Sequence, residues 1–195
     1  TQLIKKEDVP KTLDELANST LGNRLGRNSL GGRWIAGLFN ALGEGPAMET
    51  LKKLAAQKPR LYDSNSALTS GLSSGQIVVG YDVNLSDAII AKNKGAPVDY
   101  IIVEPLIVLP VYQVIMNDAP HPFAAALTYD WILSDRGQSA YHALAQLGTR
   151  SDIAYPGAEV IKGAKKPPTY LTAALLSDPD RFNKLFEDLF IRRSL

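Results

Sequence analysis

An α/β fold is what this sequence predicts, and three observations carry the prediction. Helical and strand-like stretches alternate through roughly the first hundred residues. An almost unbroken apolar run follows at 100–116. Two helices then come in tandem, the order expected when a sheet is laid down first and covered afterwards.

Taken in order, Thr12-Leu13-Asp14-Glu15 is a capping box opening a short helix that fades by Asn18. Residues 24–27 read as a brief strand. A Gly-rich turn then leads into an amphipathic helix marked by Trp34, Ile35, Leu38, Phe39 and Leu42, ended by Gly43 and Gly45. The next helix carries Met48, Leu51, Leu54 and Ala55 on one face. Burying the larger of such side chains stabilises by about 1.5–3 kcal/mol each, so these faces are core. Ser64 caps a helix through Leu72, 76–81 is a strand, and 84–93 is a helix closed by Gly95 and Pro97. The most strand-like segments are 98–103 and 106–116.

Pro120 and Pro122 stop that extended run, and Pro122 suits the first helical position, where its missing N–H costs nothing. Phe123, Leu127 and Trp131 then share a helical stripe, widened by Ala124, Tyr129 and Ile132. Ser134-Asp135 offers an oxygen cap with Gln138 in the capping-box relation, so a second helix begins at once. The stretch 149–169 is irregular. Asp178-Pro179 opens a last amphipathic helix with Phe182, Leu185, Phe186, Leu189 and Phe190.

At 195 residues and 45% hydrophobic content the chain can bury a sizeable core, as one domain or two small ones. Its 21 basic and 20 acidic side chains leave a net charge of +1, which argues against a nucleic-acid binder that works by neutralising phosphates. Without cysteine there is neither a disulfide nor a thiolate metal site. The longest apolar run, 101–116, is interrupted by Glu104, Pro105 and Pro110 and falls short of a membrane helix. The chain opens on Thr1 and shows no signal peptide, so its start is expected to be cut.

Two strand-to-helix junctions are the candidate sites. In Gly26-Arg27-Asn28-Ser29-Leu30-Gly31-Gly32-Arg33 a strand enters a glycine-rich turn and a helix. Free N–H groups there attract anions, and Gly31 lets a ligand approach the backbone. Asn28 and Ser29 can donate or accept, and Arg27 or Arg33 can pair with a carboxylate or phosphate. The plainer reading has Asn28 or Ser29 capping the helix and the glycines serving close packing. The second junction is Tyr81-Asp82-Val83-Asn84, where Tyr81, Asp82 and Asn84 would face the crevice outside the strand ends. Asn84 as a simple N-cap is its alternative.

Other chemical signals fail on context. Gly71-Leu72-Ser73-Ser74-Gly75 matches G-x-S-x-G, but a helix precedes it and a strand follows, the reverse of a nucleophile elbow. His121, between prolines, reads as a capping or packing residue, and His142 as half-exposed in mid-helix. They have no metal-ligand spacing, and no metal or cofactor is expected as a resident group. The lysines of 162–166 read as a solvated loop.

Ala119-Pro120-His121-Pro122 followed by Ala124-Ala125, and a helix ending in Leu133-Ser134 before Gly137-Gln138, resembles the C-terminal lobe of the extracellular solute-binding proteins that feed ABC importers, a group that includes ferric-iron and polyamine binders. Lys94-Gly95-Ala96-Pro97-Val98 and the opening at 8–16 extend the likeness in the right order. The resemblance implies a type-2 periplasmic binding protein fold, with one lobe near complete at 1–103 and the other partial at 104–195, its N-terminal part missing. It also implies a periplasmic or extracellular location, importer membrane subunits as partners, and capture of a small anion or metal chelate between two lobes without catalysis. It favours ligand contact over capping at the glycine-rich turn. Ferric binders of the group place adjacent tyrosines just before the helix that starts here at residue 84, and those positions hold Asn84 and Leu85. An incomplete lobe would leave an open sheet edge, predicting a dimer or strand exchange. The competing reading is an α/β enzyme acting on a phosphorylated or carboxylated small molecule, with Asp82 as base.

Overall fold

The computed structural model describes residues 3–155 and 158–193, and they form two compact units. The first takes in the described residues of 1–109 and 164–195, and the second 110–163.

The first unit is built on a three-stranded parallel sheet. Strand β1 (Leu25–Asn28) lies between β2 (Arg60–Tyr62) and β3 (Val79–Tyr81). The register sets Gly26 beside Arg60 on one side and Gly80 on the other, and Arg27 beside Leu61 and Tyr81. Helices α2 (Gly32–Leu42) and α3 (Glu44–Ala56) carry the chain from β1 to β2, and α4 (Asn65–Ser73) carries it on to β3. The chain therefore steps from the central strand out to β2 and then crosses back past β1 to β3, and α5 (Leu85–Asn93) follows β3.

The two faces of the sheet differ. A Cβ on Gly26 would stand 2.3 Å from Ile77, and one on Gly80 would stand 2.6 Å from Leu68 of α4. This glycine pair lets α4 lie close against the strands. Because side chains alternate along a strand, Leu25 and Arg27 point the other way. Leu25 and Tyr81 there join the main core with Ile35 and Leu38 of α2, Leu51 and Leu54 of α3, and Leu13 and Leu16 of α1 (Leu13–Ala17).

Helix α9 (Pro179–Phe186), capped by Asp178, and a wider π turn at Glu187–Arg192 complete that core with Phe182, Phe186, Leu189 and Phe190. The C-terminal segment thus belongs to the first unit. Its apolar stripe finds a partner in α2: Phe39 and Phe182 meet edge to face at 5.6 Å.

The expected caps form at Thr12, Ser64 and Ser134, each hydroxyl accepting an N–H of the following turn. Gly43 ends α2, but Gly45 lies inside α3. The turn at Ser74-Gly75 ends α4, as its context requires.

The two segments expected as strands at 98–103 and 106–116 are corrected. Only β4 (Ile107–Val108) forms, pairing in parallel with β5 (Thr169–Tyr170). Pro105 and Pro110 lack the N–H a ladder needs, and among the described residues no further strand pairs with 111–116.

In the second unit, α6 (Pro122–Leu133) and α7 (Asp135–Ala143) are followed by α8 (Ala158–Lys162), within the stretch read as irregular. Residues 156 and 157 of that stretch lie outside the described residues. No strand occurs in this unit among the described residues, and nothing supports the dimer expected from an open sheet edge. Gln138 does not close a capping box. It is buried, donates to the Ile132 carbonyl at 2.9 Å and accepts from the Thr149 N–H at 2.8 Å. His142 is likewise buried rather than half-exposed, its Nε2 accepting from the Gly148 N–H at 3.2 Å.

Candidate functional site

Parallel pairing of β1 with β3 brings their carboxyl ends side by side, at the point where the strand order reverses. In an open α/β sheet a crevice opens at such a switch point. The turn 28–31 and the turn 82–84, picked out from sequence 50 residues apart, are therefore neighbours.

Their side chains play unequal parts. Ser29 is half-buried, and its N–H donates to the Tyr62 carbonyl at 2.7 Å. Arg33 and Asn84 are exposed. Asn84 takes the N-cap position of α5 without capping it, and donates instead to the Asp87 carboxylate at 3.1 Å. Asn28 is mostly buried and shapes the turn: its Oδ1 accepts from the Leu30 N–H at 2.7 Å and its Nδ2 donates to Asn65 at 2.9 Å. Gly31 stands before α2, whose first turn has no side-chain cap. The backbone dipole there favours an anion by about 0.3–1 kcal/mol.

Arg27, expected to meet a ligand, is fully enclosed. Its Nη2 pairs with Asp82 Oδ2 at 2.9 Å and its Nε donates to the Asn28 carbonyl at 3.2 Å. Its guanidinium lies over Phe190 at 4.3 Å and Phe186 at 4.8 Å, with Trp34 and Tyr81 at 5.5 and 5.6 Å. Tyr81 is buried too, its ring 5.8 Å from that of Trp34 and its hydroxyl unpartnered among the described residues. Burial pushes the Tyr81 phenol well above its ordinary range despite the nearby Arg27 charge. Burial also pushes the Asp82 carboxyl up to about 7, against the pull of Arg27, although one edge of the side chain still meets solvent. Asp82 holds this place with a left-handed backbone, φ 58°.

Sequence reading missed Trp34, Phe186 and Phe190 as the walls around Arg27, and Asn65 as the partner of Asn28. One signal pointed there: Leu25 and Arg27 are two apart in a strand, so both face the core. A cation in that position requires a nearby carboxylate.

Among the described residues no cluster of three His, Asp or Glu side chains is spaced to hold a metal ion. No described helix is long and apolar enough to cross a membrane.

No family profile matches the chain, and no curated protein sequence matches it. Among solved structures it is similar to iron-bound HitA from Pseudomonas aeruginosa, with a TM-score of 0.66 and 19% identity over 96% of this chain. The match spans 64% of the HitA chain, less than two thirds of its length. At that identity the likeness shows the fold, and the fold it shows is the mixed α/β architecture described above.

Proposed function

We propose that this chain is the ligand-capturing part of an extracytoplasmic solute-binding protein serving an ABC importer, and that it holds a small anion or an anion-chelated metal without transforming it. The observation that carries the reading is the convergence of the Ser29–Gly31 and Asp82–Asn84 turns at the switch point of the sheet. Ser29, Arg33 and Asn84 offer a hydroxyl, a cation and an amide beside the uncapped start of α2. Fold likeness to a protein solved with iron bound supports it, as do the motifs at 94–98 and 119–138. Capture would favour a closed form, and the importer would read that closure.

The chemistry on this side favours an anion over a bare ferric ion. Tyr81 is enclosed and its phenol is held protonated, so it is a poor donor to a hard cation. The positions where the family pairs tyrosines hold Asn84 and Leu85.

Isothermal titration with ferric citrate, citrate, inorganic phosphate and spermidine tests this. At least one of the three anionic probes should bind, and Ser29→Trp, which fills the crevice mouth, should abolish it. Binding of none, or binding indifferent to Ser29→Trp, would overturn the reading. The enzyme reading is favoured by one observation, the Asp82 carboxyl raised to about 7 on a left-handed backbone at a strand end. Turnover of a phosphorylated or carboxylated compound, lost in Asp82→Ala, would establish it instead.

A further inference from the structure

We propose that Arg27 and Asp82 are positioning residues, whose enclosed ion pair ties the turn at 28–31 to the turn at 82–84 and so sets the spacing of the crevice. The purpose assigned to that spacing rests on the function proposed above; the geometry does not.

The core face of a central strand is ordinarily apolar, and a well-packed hydrophobic residue in place of a buried ion pair is often as stable or more so. Stability alone therefore does not account for a fully enclosed arginine in the middle strand. What the guanidinium does that an apolar side chain would not is hold two chain segments at once. It bonds the Asn28 carbonyl, at the end of its own strand, and the Asp82 carboxylate, just beyond the end of the next. Because the group is planar and rigid, it fixes the distance between them.

The far end of the first turn also sits on the pair. A Cβ on Gly31 would come within 1.7 Å of Arg27 Nη2 and 3.0 Å of Asp82 Oδ2, so the backbone entering α2 rests against the pair. Phe186 and Phe190, from the C-terminal helical segment, wall in the guanidinium and restrict its swing. Asp82 accepts a left-handed backbone to reach it. Strain of this kind persists only where the surroundings impose it.

The test compares Arg27→Met, which keeps the bulk, Asp82→Asn, which keeps the shape, and the double variant. Amide hydrogen exchange is followed at Leu30 and Asp87, whose N–H groups donate to Asn28 and Asn84 in the two turns, and at Val78, whose N–H bonds to Arg24 beside the ladder. Each single variant should speed exchange at Leu30 and Asp87 by about tenfold relative to Val78. The double variant, with no charge left unpaired, should recover thermal stability while its turns stay loose. A purely structural role would accelerate all three amides together, or slow the turns again when stability returns, and either result would overturn the proposal. Titration with ferric citrate and phosphate separates the two readings. If no anionic probe binds the unaltered chain yet the turns still loosen, the functional reading fails and the positioning stands. If a probe binds the unaltered chain and the double variant equally well, the positioning is refuted and the binding reading survives.

Discussion

Helices α2 and α6 are nearly the same length, 11 and 12 residues, yet they meet opposite fates. Helix α2 buries Ile35, Ala36 and Leu38 against a sheet and two other helices. Helix α6 buries nothing: Phe123 is 90% exposed and Leu127 70%, and the stripe expected through Phe123, Leu127 and Trp131 is not a distinct face, because apolar residues lie all round this helix whereas those of α2 gather on one side. The first unit has paired strands to stack against, and the second has none among its described residues. Apolar residues make a helix part of a core only where a partner surface meets them.

The sharpest way to break that contrast is truncation. Leu38→Ala should cost about 2–5 kcal/mol in urea denaturation. Leu127→Ala should stay within about 0.5 kcal/mol. Equal losses would mean that α6 is covered in solution.

A second test uses the Asp82 carboxyl enclosed in the first unit. The Asp82 carboxyl is raised from 3.8 to about 7, so the folded chain keeps a proton that the unfolded chain releases. Stability relative to Asp82→Asn should therefore fall as pH rises through that window and run parallel above it. Denaturation curves at a series of pH values would show this. A rise over the same range would mean that Arg27 outweighs burial.

The smallest effects are expected at the caps. Ser64 accepts the Ala67 N–H and Ser134 the Gly137 N–H, at 3.1 and 3.2 Å. Replacing either with alanine should cost about 1 kcal/mol. In Ser64→Ala the loss should appear as a lower global midpoint, and in Ser134→Ala as faster exchange confined to α7. The reverse pattern would reassign which unit sets the global stability.

How far the sequence could be read follows the same line. Local signals served well: the caps at Thr12, Ser64 and Ser134, Pro122 at a helix start, and the strand end at Tyr81. Non-local pairing did not show. Strand β2 is Arg60-Leu61-Tyr62, a segment with no apolar run, and it is a strand because β1 lies beside it. The run at 111–116 has strand composition and no paired strand among the described residues. At the candidate site the two turns were legible as strand-to-helix junctions. The inward role of Arg27 was not, because a charged residue beside a glycine-rich turn looks like a ligand group until its neighbours are known.

The central claim is that the ends of β1 and β3 hold a guest between their two turns. Backbone amide shifts of the chain titrated with ferric citrate, and separately with phosphate, test it most directly. The account predicts that one of these perturbs Ser29, Leu30, Gly31 and Arg33 together with Asp82, Val83 and Asn84. Shifts confined to other surfaces, or none with either probe, would contradict it.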